Sequence, residues 1–151
     1  MTRTETVTLT NMCMIYDDNG NILVQNRKNP DWPGITFPGG HVEPGEPFAD
    51  AVVREIIEET GLKISNPVLC GVKDWIIDEK TRYMVLLYKT NSFFGQLRSS
   101  DEGEMLWIPT EEIYKMNLAN DMEELLEIFM SDSKSEQFFE KINGKWRMKI
   151  I

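Results

Sequence analysis

The chain is poor in the residues that several functional classes require. It has one histidine, His41, and two cysteines, Cys13 and Cys70, far apart and each inside an apolar segment. With one histidine and no GxSxG segment, a Ser-His-Asp triad cannot be built. CxxC and HExxH zinc patterns are missing, and Gly144-Lys145 is followed by Trp146, so there is no P-loop. Two isolated cysteines read as buried, reduced thiols, which places the protein in the cytoplasm. No apolar run reaches the length of a membrane span, and the start, Met1 to Glu5, leads into alternating residues instead of a secretory apolar core. No membrane partner is expected. Positive charge is also scarce: 16 Lys and Arg stand against 25 Asp and Glu, for a net charge of −9. Gripping duplex DNA or long RNA takes a basic face, so a nucleic-acid polymer is not expected as a partner. A small phosphorylated ligand is compatible with such a chain if divalent cations stand between carboxylates and phosphates.

What is present reads as one domain over residues 1–151, without repeats, low-complexity tracts or linkers. Thr6 to Tyr16 alternates as a strand, Asp17-Asp18-Asn19-Gly20 is a turn, and Ile22 to Arg27 is read as the returning strand of a hairpin. Ile35 to Phe37 is a short strand before Pro38-Gly39-Gly40. Gly71 to Ile77 and Arg82 to Thr90 are strands, Asp101 to Glu104 is an acidic loop before the apolar Met105 to Ile108, and Met122 to Met130 is helical. Phe138 to Ile142, the turn dipeptide Asn143-Gly144 and the alternating Trp146, Met148 and Ile150 close the chain as a hairpin. This irregular order predicts an α+β or mixed α/β fold, not a doubly wound parallel sheet.

The clearest helix lies between Pro47, suited to its first position, and Gly61, suited to the left-handed residue past its end. Ala49, Val52, Val53, Ile56 and Ile57 fall in one arc and are expected to face the core. Glu55, Glu58 and Glu59 share another side, with Arg54 beside Glu58. Carboxylates at these spacings repel by a few tenths of a kcal/mol per pair, and they stand near the helix C-terminus, where the macrodipole disfavours negative charge. Acidic helix faces are usually just solvated. The competing explanation is a hard divalent cation, which takes oxygen ligands and bridges carboxylates to phosphates.

Context separates the two. Gly40, Glu46, Arg54-Glu55-Ile56, Glu58-Glu59 and Gly61-Leu62 match the pattern GX5EX7REUXEEXGU throughout. At average residue frequencies such a match arises by chance in roughly one chain in 10⁷. The chain therefore resembles the Nudix hydrolases, and its surrounding segments look like the small MutT-like branch. The resemblance implies an α/β/α sandwich with a mixed central sheet, in which the box forms a loop–helix–loop. It also implies cleavage of a pyrophosphate linkage in a nucleoside diphosphate-linked compound with bound Mg²⁺, or Mn²⁺ as substitute. Carried onto this chain, the metal ligands would be Glu55, Glu58 and Glu59 with the backbone carbonyl of Gly39, and Glu46 and Arg54 would orient the catalytic groups. Glu58 is the chosen general base. A base or ligand from a loop is the alternative, for which Glu102 stands in the matching segment, with Asp101 and Glu104 near enough to substitute.

The box reports phosphates and metal, not the group attached to them. Pro67 lies too early for the proline marker of ADP-ribose hydrolases, and Tyr83 a little late for the tyrosine marker of dinucleoside tetraphosphate hydrolases. Length and layout favour a nucleoside triphosphatase of the MutT type, acting on an oxidised purine such as 8-oxo-dGTP. His41 either reaches a substrate phosphate or holds its loop. Asn120 and Asp121 sit where purine-edge contacts are expected, or cap the helix beginning near Met122. Trp32 and Phe37 offer stacking faces, or pack internally. Thr36 departs from the asparagine some oxidised-purine hydrolases use nearby. The alternatives are a Nudix enzyme for a dinucleoside polyphosphate or nucleotide sugar, and a catalytically silent nucleotide sensor. The partner expected is a small nucleotide, and monomer and homodimer are both left open.

Overall fold

The computed structural model describes residues 3–151; Met1 and Thr2, which open the segment read above as free of a secretory leader, lie outside the described residues. β1 (Thr6–Ile15) shows how the layers arise. Side chains alternate across a strand. Met12 and Met14 therefore enter one core, with Phe37, Leu125, Leu126 and Phe129, while Cys13 and Ile15 enter another, with Val52, Ile56, Leu62 and Ile64. The first core lies under helix α2 (Met122–Met130), the second under helix α1 (Phe48–Thr60). The result is an α/β/α sandwich, as the resemblance implies.

The strands between the helices are β2 (Asn21–Arg27), β3 (Gly34–Thr36), β4 (Leu62–Ser65), β5 (Val68–Asp78), β6 (Thr81–Thr90), β7 (Ser92–Gly95), β8 (Gly103–Pro109), β9 (Glu136–Ile142) and β10 (Lys145–Ile150). They form a five-stranded sheet in the order β1-β6-β5-β9-β10, a three-stranded sheet β3-β2-β8 and the pair β4-β7. The larger sheet is mixed: β1 runs parallel to β6 and β5 parallel to β9, while β5-β6 and β9-β10 are antiparallel. The closing hairpin turns at Asn143-Gly144 with positive φ at both residues, as expected for that dipeptide.

Three expectations need correction. β1 and β2 are not a hairpin in one sheet. Their one bridge is Tyr16–Ile22, just past the end of β1, and β2 pairs with β3 and β8 instead. The reason is that the free edge of β1 is already occupied by the segment 38–42: Asn11 N–H donates to Gly40 O, Cys13 N–H to Pro38 O, and Val42 N–H to Leu9 O. Second, the buried face of α1 is Ala51, Val52, Ile56, Glu59 and Thr60, whereas Ala49 is exposed and Ile57 is 39% exposed. The helix is turned toward its carboxylates, giving up an apolar side chain to water so that Glu59 can point inward. Third, Pro47 is the residue before the first helical one, its carbonyl accepting from Ala51 N–H. Gly61 does end the helix in the left-handed region, its N–H on Ile57 O.

The cysteines are both free, but only Cys13 is buried; Cys70 is half-buried, its thiol directed at Leu87 O. Burial pushes the Cys13 thiol far up and the Cys70 thiol up to about 11, so neither is a thiolate at neutral pH. No helix among the described residues is long and apolar enough to cross a membrane.

Candidate active site

The box is a single hydrogen-bonded unit with Arg54 at its centre. Its guanidinium grips Glu46 through two parallel bonds, Nε to Oε2 at 2.8 Å and Nη2 to Oε1 at 2.9 Å. This is the fork geometry that suits arginine and not lysine. Nη2 also donates to His41 O at 2.9 Å, and Nη1 to Glu55 Oε1 at 2.9 Å and Glu58 at 3.4 Å. Glu46 in turn accepts from Glu43 N–H, closing the loop on itself. The Arg54 bonds first, then the Glu43 N–H, hold the Glu46 carboxyl down at about 2.

The glycine pair is explained by crowding. A Cβ at Gly39 would collide with the backbone of Asn11 on β1, and one at Gly40 with the Glu55 carboxylate. The loop is thus pressed between a strand edge and a catalytic-type side chain, and only glycine leaves the room. Gly40 N–H donates to Asn11 Oδ1, and Gly39 N–H to Glu59 Oε2 at 3.2 Å.

Glu59 is 7% exposed. Burial, then a hydrogen bond and like charge from Glu102, raise its carboxyl to about 8. Neighbouring negative charge and burial both disfavour the ionised carboxylate. Of the three acidic residues weighed in the later loop, Glu102 lines the cleft with Glu55, Glu58 and Glu59, while Asp101 lines only the flanking cavity beside Arg27 and Lys28.

The donor set is all oxygen, as a hard divalent cation requires. Among the described residues no three of these side chains converge on one point. Arg54 draws Glu55 and Glu58 to itself. The residues fit such a cation by the chemistry of their oxygen donors and by lining one cleft.

The cleft, 960 Å³ in volume, also holds buried donors that do not stand out in the sequence. Asn11 Nδ2, Gln25 Nε2 and Arg27 Nε are buried N–H groups without a partner, and all three residues line it. Orphaned buried donors are costly, so three in one cleft mark a surface waiting for acceptor oxygens. The signal available in sequence was polar residues interrupting strands: Asn11 within Thr10-Asn11-Met12-Cys13, and Gln25 and Arg27 at the end of an apolar run.

The substrate-side residues divide. Phe37 is 2% exposed and packs edge-on against Phe129, so it is a core residue and not a stacking platform. The His41 side chain is exposed on the cleft rim, while its backbone serves the loop through Arg54 and a bridge to Thr10. Asn120 accepts at its carbonyl from Trp32 Nε1. Asp121 precedes α2 but its side chain makes no capping bond, so the capping alternative fails. It adopts φ of 65°, and its carbonyl accepts from Leu125 N–H and Gln137 Nε2. Thr36 is buried, its hydroxyl directed at Met122.

A family model for the NUDIX domain matches residues 8–129. Among known proteins, the chain is 32% identical over 123 residues to the uncharacterized Nudix hydrolase YvcI of Bacillus subtilis, covering 78% of this chain and 76% of that one. It is 31% identical over 122 residues to the ADP-ribose pyrophosphatase of Methanocaldococcus jannaschii, covering 78% and 69%. Among solved structures, a MutT protein from Bacillus halodurans superposes with a TM-score of 0.75 at 25% identity, covering 94% of this chain and 97% of that one. Taken with the box built around Arg54, these likenesses show that the chain belongs to the Nudix family, as a MutT-like pyrophosphohydrolase of nucleoside diphosphate-linked compounds.

Proposed function

We propose that the protein hydrolyses nucleoside triphosphates to a nucleoside monophosphate and pyrophosphate, with an oxidised purine such as 8-oxo-dGTP preferred. The observation that carries this reading is one cleft lined both by the carboxylates Glu55, Glu58, Glu59 and Glu102 and by the unpartnered donors of Asn11, Gln25 and Arg27. Donors alone suit a phosphate chain. Carboxylates alone would repel it, and together they suit a phosphate chain accompanied by a cation.

Nudix hydrolases generally need divalent metal ions. Here Glu55, Glu58, Glu59 and Glu102, with the Gly39 carbonyl, would hold Mg²⁺ or Mn²⁺, which when bound neutralises phosphoryl charge and orients water. The remaining work belongs to the chain. Asn11, Gln25 and Arg27 bind phosphate oxygens within the cleft. Arg54 and Glu46 fix the loop and the direction of Glu55. Glu58, with its side chain 57% exposed, takes the proton from the attacking water.

The test is incubation with Mg²⁺ and a panel of 8-oxo-dGTP, ordinary triphosphates, diadenosine tetraphosphate and ADP-ribose, with products identified. Highest kcat/KM on 8-oxo-dGTP, with pyrophosphate released, is expected. Preference for ADP-ribose, in line with the methanogen relative, would sink the triphosphate reading. Nucleotide binding without turnover of any member would make the protein a sensor.

A further inference from the structure

Asn11 stands where β1 meets the glycine pair, and it holds that loop with backbone and side chain together. Its N–H donates to Gly40 O at 2.8 Å, and its Oδ1 accepts from Gly40 N–H at 3.0 Å. Its carbonyl packs so closely on Gly39 that a Cβ there would collide with it. In a regular antiparallel ladder two facing residues exchange both backbone bonds. The bridge between Thr10 and His41 and the bond from Val42 N–H to Leu9 O put Asn11 opposite Gly40 in that register. Gly40 N–H should then reach the Asn11 carbonyl. It reaches the side chain instead, so the ladder is broken at this bond and the carboxamide mends it.

That repair fixes the other end of the amide. A carboxamide has one acceptor oxygen and one donor nitrogen, and only the oxygen can take the Gly40 N–H. With Oδ1 committed to the loop, Nδ2 is turned from it. The residue is 4% exposed, its Nδ2 has no partner among the described residues, and it lines the cleft with Glu55, Glu58 and Glu59. The neighbouring strand offers no relief, since Leu86 stands opposite Asn11 on β6.

The two ends of the amide therefore compete while the cleft is without a ligand. An orphaned buried N–H is costly, and rotating the amide to satisfy it gives up the bond to Gly40. An acceptor oxygen placed at Nδ2 removes the conflict. Both ends are then bonded in one orientation, and Gly40 is held more firmly than before.

We propose that Asn11 is a positioning residue that couples a phosphate oxygen at Nδ2 to the hold of Oδ1 on Gly40, so that the glycine loop is set when the phosphate chain is in place. The coupling is reciprocal: a held loop presents the nitrogen, and a bound phosphate holds the loop. Gly39, whose carbonyl is a proposed metal ligand, is the neighbour steadied with it. The proposal rests on the phosphate reading of the cleft given above, and it adds the link between that phosphate and the loop.

The test follows hydrogen exchange of the Gly40 amide by NMR in the full-length protein with Mg²⁺, with and without inorganic pyrophosphate as the probe. Pyrophosphate should slow that exchange in the unaltered protein. Asn11→Asp keeps an acceptor for Gly40 N–H and removes the donor. Its exchange without pyrophosphate should match that of the unaltered protein, while its affinity for pyrophosphate falls about 10- to 100-fold, the scale of a bond to a charged group. At saturating pyrophosphate its Gly40 amide should not slow. Asn11→Ala removes both ends and should speed unliganded exchange at Gly40 about 2- to 10-fold. Slowing in Asn11→Asp equal to that of the unaltered protein would overturn the coupling. So would binding of pyrophosphate to the unaltered protein without slowing, or unchanged Gly40 exchange in unliganded Asn11→Ala. Failure of pyrophosphate to bind the unaltered protein at all would refute the phosphate reading itself, and the coupling with it.

Discussion

At the scale of single residues, the site is arranged around one cation the chain supplies itself. Arg54 touches Glu46, Glu55, Glu58 and the His41 carbonyl, so it sets where two of the proposed ligands point. Lysine keeps the charge but loses the two-bond fork. Arg54→Lys should therefore lower kcat/KM by about 10- to 100-fold, the usual effect of disturbing groups that orient metal ligands, while far-UV circular dichroism stays unchanged. Glu58→Gln removes the proposed base and should lower kcat by about 10²- to 10⁴-fold. Its exposed side chain supports no core, so the melting temperature should hold. Activity within a few-fold of the unaltered enzyme would remove Glu58 from the mechanism.

At the scale of elements, α1 was legible because its signals are local: Pro47 before it, Gly61 after it, and seven box residues at fixed spacing. Its rotation was not legible. Apolar periodicity points to a face containing Ala49 and Ile57, but the cleft takes Glu55 and Glu59 instead, a choice made by partners distant in sequence. The separation of β1 from β2 was hidden for the same reason, since an edge cannot be known as occupied until segment 38–42 is placed. β4 and β7, four residues each, were too short to show a period. The donors Asn11, Gln25, Arg27 and Lys73 look like isolated polar interruptions until the sheets bring them to one cleft. Two element-level tests follow. Gly61→Ala places a Cβ in the left-handed region, against the Gln96 carbonyl, and should cost about 1–2 kcal/mol in urea unfolding. The loop closed by Glu46 should be acid-sensitive. Its carboxyl titrates near 4.5 when unfolded and near 2 when folded, so its contribution is complete above the unfolded value and fades as pH falls toward 2. The stability difference between the unaltered protein and Glu46→Gln should accordingly be largest near neutrality and shrink in acid.

At the scale of the whole molecule, charge is divided by location. A net −9 covers the surface, while unpartnered donors and Lys73 are kept inside the cleft. A net negative charge predicts weak attraction for a long polyanion, while small phosphates can arrive with their cations. Electrophoretic mobility of duplex DNA should be unaffected by the protein at low salt, where attraction would be strongest.

The parallel pairing of β1 with β6 sets Thr6 opposite Thr81 and Ile15 opposite Thr90. Contacts between such distant stretches close late and slow folding. During synthesis α1 can form early from local signals alone. Glu59, however, meets Glu102 only after β8 has been made, and Asp121 is anchored only when Gln137 arrives. An emerging chain would thus carry a finished helix and an unfinished enzyme, and competence for chemistry would be delayed until nearly the last strand has left the ribosome.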